Sequence, residues 1–524
     1  MDLLTRFPWL SLLPSLLIIF LAWKTKQILL SLIIGVFTGA LILYNGNPLT
    51  AFLRTTDTYV LESMADGWNA AILIVILALG GTIGIITKAG GAQAIGDTIA
   101  KKAKTVKNAK LAAWLLGLAI FFDDYSNTLI VGNTMRPITD RMKIPREKLA
   151  YITDTTAAAV ASLVPISTWI AYEVGLIEGV FSDLGISENA YHTFLKTIPY
   201  SFYSIFAIIL VLLVIVKDKD MGSMYDAEVR AYKEGKVIRE GSTPLASKEI
   251  SEMEVMGKGI TWIQAFIPII CIAIFTMIGL WYDGGGADGA TLSEAFGNAD
   301  SSIVLMWSAF GGTIIAGFIA AVFGKIKITD VVDSWVEGTK AMVIACLILV
   351  LAWSVGAITS DLKTAEFIIG IAEGNLPAFI IPAMIFVIAA FISFTTGTSW
   401  GTMAILMPLA IPLAHSLGGE MLPTIAAILT GSIWGDHCSP ISDTTIMSSM
   451  SSGSDHIDHV QTQLPYAITG GVIALVIGFI PAGFGVPWFV SLPIGVTATY
   501  LVLNFFGKSV DPKDLDKLQQ NKAA

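Results

Sequence analysis

Asp436 and Asp443 stand in the stretch GDHCSPISDTTI (435–446), among His437 and the hydroxyls of Ser439, Ser442, Thr444 and Thr445. A carboxylate in such a setting can bind a cation or a proton. An ionisable residue within or beside an apolar span is costly and marks a site by default. The bland alternative is a structural salt bridge, yet no Lys or Arg lies nearby in sequence. FDDYSNT (122–128) sets Asp123 and Asp124 side by side, followed by Ser126, Asn127 and Thr128. These carboxylates can share one proton, or can simply face water if the segment is shallow. Two further polar stretches are PIST (Pro165, Ser167, Thr168) and GTSWGT (Thr398, Ser399, Thr402). Their hydroxyls suit either an oxygen cage for sodium or ordinary packing and capping. His437 is either a proton carrier, because imidazole titrates near neutrality, or a structural ring bonded to a carbonyl. Asp154 in YITDTT lies on a span without a repeat partner of its kind and stays open. The block SGSDHIDHV (452–460) spaces His456 and His459 like zinc-hydrolase ligands, beside Asp455 and Asp458. Its other readings are a pH-sensing or gating element and a structural cap. His192 and His415 read as loop or membrane-end residues.

The elements that must carry these groups are set by composition. The chain has 524 residues, 54% hydrophobic and 14% charged, with a mean hydropathy of +0.71. A soluble protein carries roughly 25% charged residues. Repeated apolar runs of about 20 residues read as transmembrane helices. A large soluble α/β enzyme is excluded, since strands do not run so long and too few charges remain to cover its surface. Cys271, Cys346 and Cys438 make no disulfide framework. The net charge of −9 gives no nucleic-acid footprint. The N-terminal apolar run does not read as a signal peptide, because no small-residue cleavage site follows it.

Spans are expected near 8–23, 27–44, 68–88, 149–181, 198–216, 261–281, 302–323, 338–358, 422–447, 464–484 and 486–506. Segments 111–135 and 377–414 are interrupted halfway by polar residues. Loop charge sets orientation. The lysines at 101–110, the basic cluster from Arg136 to Lys148, the 217–258 segment and the tail from Lys508 belong to the cytoplasm, whereas loops 282–300 and 417–421 lack Lys and Arg and belong outside. Segment 111–135 is then basic at both ends, so it enters and returns as a re-entrant hairpin with its tip at 122–128. Segment 377–414 does the same from the opposite side.

The halves repeat. LALGGTIGIIT (77–87) resembles VLAWSVGAIT (350–359), DYSNT falls opposite GTSWGT, PIST opposite PISD (440–443), and IPY (198–200) opposite LPY (464–466). The offsets stay between about 266 and 275, and loop-charge polarity reverses. That is the pattern of an inverted-topology repeat, the usual build of secondary transporters. Pro165 and Pro440 each break a spanning helix, leaving carbonyls suited to sodium and half-helix N-termini suited to an anion. The expected fold is therefore an all-α integral membrane protein with two re-entrant hairpins and two broken transmembrane helices. Its parts are a first membrane half (1–216), a cytoplasmic linker (217–258), a second half (259–485), and a last helix with a cytoplasmic tail (486–524).

Two long motifs, FFDDYSNTLIVGNTMRPITDRMKIPREKLAYITDTTAA (121–158) and GDHCSPISDTTIMSSMSSGSDHIDHVQTQLPYA (435–467), resemble the signatures of the NhaC-type sodium/proton antiporters. The resemblance covers most of residues 60–510. It implies a scaffold subdomain holding a homodimer and a transport subdomain that moves as an elevator. Ser126-Asn127-Thr128 matches the sodium-site triplet of the wider ion-transporter superfamily, whereas the tip at 398–402 departs from it. The expected function is Na+/H+ exchange across the cell membrane, without a cofactor. The carriers would be Asp436 and Asp443, and Na+ would sit at Ser126, Asn127, Asp436 and Asp443. The alternative is a Na+-coupled carrier of a small amino acid or carboxylate. The absence of arginine near the tips weighs against a dicarboxylate. A membrane metallohydrolase built on residues 455–459 is the reading from another class.

Overall fold

The computed structural model describes residues 3–25, 27–91, 94, 105–121, 123–165, 167–244, 256–257, 260–340, 342–364, 367, 377–511 and 514–516. Lys101, Lys102, Lys104, Phe122, Ile166 and much of 245–259 lie outside the described residues. The architecture is helical, and the protein is a multi-pass membrane protein. Six helices among the described residues are long and apolar enough to cross a bilayer alone, or seven if one bent pair counts as a span. Sequence reading expects about eleven spans, and helices occupy each of those positions. The difference lies in continuity. The first half ends in Ala190–Tyr200 and Phe202–Lys217, bent by 47°. Two other positions are broken at their prolines, and Ile28–Leu43 has only 16 residues.

The repeat is visible in helix boundaries. Helices start at Val106 and Ile381, Asp124 and Ser399, Arg146 and Met421, and Thr168 and Asp443. Each pair is 275 residues apart (381 − 106 and likewise for the rest). The first hairpin comprises Val106–Ala119 and Asp124–Arg141, and the second Ile381–Thr396 and Ser399–Ser416. The first broken helix is Arg146–Ala161 with Thr168–Leu184, and the second Met421–Cys438 with Asp443–Ser452.

Both open ends of the first hairpin meet one surface. Lys107 donates to the Val216 carbonyl and lies 3.5 Å from Asp218. After the other arm, Arg146 pairs with Asp140 at 2.9 Å and donates to the Gly453 carbonyl, where the second broken helix ends. The second hairpin opens elsewhere, where Phe379 stacks on Phe484 at 4.3 Å.

Small residues let the second hairpin approach the second broken helix. A Cβ on Gly435 would come within 2.0 Å of the Ala390 carbonyl, so the two backbones nearly touch. Gly84 and Gly338 make a similar approach between Gly67–Lys88 and Ile328–Lys340. Trp262–Asp283 and Ser301–Val322 pack beside that pair, with Gly312 against Ile272.

The segment read as a linker folds onto the membrane helices over residues 218–244. Lys219–Asp220 pairs antiparallel with Lys508–Ser509, and Gly222–Glu234 is a helix that buries Met224, Ala227 and Ala231. Ion pairs do what its few apolar residues cannot. Lys148 pairs with Asp220, both fully buried. Lys110 donates to Glu228 at 2.5 Å, Arg230 grips both oxygens of Glu147 at 2.9 Å, and Arg239 grips both of Asp458. A charge-rich composition therefore reads as a free linker only until its partners on other helices are known.

Candidate functional site

The hairpin tips are built as helix caps. Asp123 caps Asp124–Arg141 by accepting the Ser126 N–H at 2.7 Å, and Thr398, 275 residues on, caps Ser399–Ser416 through Gly401. The second break follows the same logic: Ser442 accepts the Thr445 N–H at 3.2 Å. Its counterpart Ser167 closes the first break differently, donating to the Ala161 carbonyl at 2.8 Å. Gly397 takes a left-handed turn (φ 72°) against the Ile441 backbone, which brings the second tip to the second break.

The second break and the first tip enclose a buried polar chain. Asp443 accepts from its neighbour's Thr444 N–H and from the Tyr125 hydroxyl, each at 2.7 Å. Thr444 donates to Asp436 Oδ2 at 3.0 Å and sits 3.1 Å from the Ser442 hydroxyl. Asp436 Oδ1 has no partner, and neither oxygen of Asp124 meets hydrogen-bond geometry with a neighbour. Ser126 Oγ and Asn127 Oδ1 are likewise unengaged, while the Asn127 amide nitrogen holds the carbonyls of Gly117, Ile120 and Thr156. Unpaired buried oxygens are rare because desolvation is costly. Here they belong to residues whose types suit a hard cation or a proton.

Some expected ligands are occupied elsewhere. Thr128 and Thr402 donate back to Tyr125 and Thr398 carbonyls. Ser439 donates to the Phe394 carbonyl at 2.8 Å, tying the break to the second hairpin. Ser399 is buried at its tip. Pro165 is exposed and its carbonyl accepts from Tyr191 at 3.0 Å, so it faces away from the chain of aspartates. Thr168 opens a helix, and its side chain lies outside the described set. His437 receives or gives a bond with the Tyr203 hydroxyl at 3.0 Å, leaving Nε2 unpartnered.

Sequence reading leaves Asp154 open, and the structure places it at the centre. Thr445, Ser448 and Gln463 all donate to its carboxylate, at 3.0, 3.1 and 2.5 Å. The repeat hides this residue because its counterpart 275 positions on is Leu429. The available signal was its charge inside an apolar span. Glu173, passed over in sequence, is fully buried with neither oxygen partnered. Tyr125, between the paired aspartates and Ser126 at the first tip, supplies a hydroxyl to Asp443. Tyr125→Phe removes that donor, a loss of about 1.5–3 kcal/mol for a hydrogen bond to a charged group, read as a lower melting temperature of the purified variant.

The 455–459 block does not form a metal site. Asp455 caps its own helix and accepts from Thr243, Asp458 binds Arg239, His456 bonds the Pro440 carbonyl and His459 bonds Gln463. No group of three His, Cys, Asp or Glu fit to hold a metal occurs among the described residues.

Paired hairpins and paired broken helices around buried carboxylates define a secondary transporter. The Na+/H+ antiporter family model matches residues 3–168 and 160–484, and the chain belongs to that family. An uncharacterized protein of Haemophilus influenzae is 36% identical over 485 residues, covering 90% of this chain and 91% of its own. A malate-2H+/Na+-lactate antiporter of Bacillus subtilis is 32% identical, over 32% of this chain and 38% of its own. An arginine/ornithine antiporter of Halobacterium salinarum is 30% identical over 40% of each. Among solved structures, the Alcanivorax borkumensis YdaH transporter aligns with TM-score 0.40 and 14% identity, covering 91% of this chain and 99% of that one.

Proposed function

We propose that this protein exchanges Na+ for H+, with Asp436 and Asp443 as the exchanging carboxylates and Asp124, Ser126 and Asn127 completing the ion site. One observation carries the reading. Asp124, Asp154, Asp436 and Asp443 are all buried, and among the described residues none pairs with a lysine or arginine. Buried anions need cations, and Na+ and H+ are the ones an antiporter of this family can supply. The hairpins and broken helices form the unit that moves, as an elevator, against a scaffold containing Gly67–Lys88, Trp262–Asp283 and Ser301–Val322. The scaffold holds a homodimer, and no cofactor takes part beyond the transported ions.

A second reading is exchange or Na+-coupled uptake of a small amino acid or carboxylate. It is favoured by Trp400 at the second tip, packed on Trp68, Trp169 and Tyr172 at 4.5–5.2 Å. The indole N–H group of Trp400 has no acceptor. The named relatives that move malate, lactate or arginine point the same way. Thermal melting of purified protein separates the two. Na+, but not choline, should stabilise it, by about 2.7 kcal/mol at a hundredfold excess over Kd. Stabilisation that instead requires an organic solute would favour the second reading, and no response to Na+ at all would remove the first.

A further inference from the structure

We propose that His456 and His459, joined through Ser449, form a buried pair that holds one proton for exchange, with Asp154 as its counter-charge. The proposal rests on the exchange reading above and follows from counting hydrogens.

His459 Nε2 lies 3.0 Å from Gln463 Oε1. The identity of that atom is forced, because the other end of the carboxamide faces two acceptors, Asp154 Oδ2 at 2.5 Å and the His437 carbonyl at 3.0 Å. An oxygen accepts, so His459 Nε2 carries hydrogen. His456 Nε2 lies 2.7 Å from the Pro440 carbonyl, an obligate acceptor freed by the helix break, so it too carries hydrogen. In neutral imidazoles both Nδ1 atoms would then be bare acceptors. Both point at one hydroxyl: Ser449 Oγ is 3.0 Å from His456 Nδ1 and 2.8 Å from His459 Nδ1. A hydroxyl has one hydrogen and can donate to only one of them, even if it gives up its 2.7 Å bond to the Thr445 carbonyl. The other Nδ1 must donate to Ser449, and that ring is an imidazolium. Three elements are thus satisfied only when the pair holds one proton beyond neutrality.

The surroundings suit that charge. His459 Nε2 is 4.0 Å from Asp154 on the first broken helix. The second broken helix contributes Asp436, His437 and Asp443, and His437 is held by Tyr203 from Phe202–Lys217. On their own helix Asp455 is bound by Thr243, Asp458 is neutralised by Arg239, and Tyr466 serves the Lys148–Asp220 pair. Asp154 is therefore the anion nearest the pair that no cation already balances. Losing the proton leaves its charge uncovered, in a chain that continues through Thr445, Ser442 and Thr444 to Asp436. This gives a direct route by which proton release and sodium binding exclude empty or doubly loaded states.

The chain has five histidines, so nitrogen NMR of histidine-labelled protein can assign each ring by single substitution. At neutral pH, without Na+, one ring of the His456/His459 pair should show two protonated nitrogens, and saturating Na+ should convert it to the neutral pattern. Ser449→Ala, which removes the shared oxygen, should lose the imidazolium signal while the His192 and His415 signals stay unchanged. Two neutral rings at neutral pH in the wild-type protein would overturn the proposal, as would an imidazolium untouched by Ser449→Ala. The readout does not depend on flux. A Na+-driven proton flux with two neutral rings sinks this inference alone, whereas a shared proton that Na+ does not displace sinks its role in exchange.

Discussion

Asp443→Asn is expected to lower Na+-coupled proton movement about a hundredfold while the protein still folds and reaches the membrane. Asn matches Asp in size and can still accept from Thr444 N–H and Tyr125, the two partners at 2.7 Å, so local packing survives. The capping of Asp443–Ser452 comes from Ser442, not from the substituted residue. What disappears is the charge, and a charge-assisted contact to a bound cation contributes about 1.5–3 kcal/mol, which is up to about two decades in affinity. Flux in vesicles together with the melting temperature of the same preparation checks it. A folded variant with wild-type flux would remove Asp443 from the exchanging set and leave Asp436 and Asp154 as its carriers.

Lys148→Met is expected to have the largest effect on stability. Lys148 and Asp220 are both fully buried, Glu228 lies 3.9 Å away, and the rings of Tyr151 and Tyr466 flank the ammonium at 5.8 and 5.6 Å. Removing one partner of a buried pair strands the other charge, at a cost of about 3–5 kcal/mol. Asp220 would keep only the Tyr466 hydroxyl at 2.5 Å, and its Oδ2 already lacks a partner. The double variant Lys148→Met with Asp220→Leu should recover most of the loss, because no uncompensated charge remains. Melting temperatures of the single and double variants test this. A single variant that melts like wild type would mean that the 218–244 strap does not depend on its ion pairs.

Much of the architecture is written in local patterns. Prolines at 165 and 440 mark the breaks only together with the serine and threonine residues around them, since Pro137, Pro268, Pro408, Pro412, Pro465 and Pro493 all lie inside helices. The polar interruptions at 122–128 and 397–402 mark the hairpin tips, and the repeat offset survives in helix starts that are all 275 apart. What stayed hidden depends on partners distant in sequence. The fold of 218–244 rests on Lys110, Glu147, Lys148 and Asp458. Asp154 gains its meaning from Thr445, Ser448 and Gln463, each about three hundred residues away, and repeat comparison set it against a leucine. Asp123 reads like its neighbour Asp124 in sequence, yet its carboxylate caps the helix whereas that of Asp124 turns toward the Trp169 indole. His456 and His459 have metal-like spacing, and only their opposite partners, Pro440 and Gln463, show them to be members of a hydrogen-bonded network.

The most direct test of Na+/H+ exchange is made with purified protein in liposomes that trap a pH-sensitive dye, with Na+ added outside and no organic solute present. The account predicts a prompt alkaline shift inside as Na+ enters and protons leave, absent with choline and lost in Asp443→Asn. A flat trace from folded wild-type protein, turning into flux only when an amino acid or carboxylate is supplied, would contradict it.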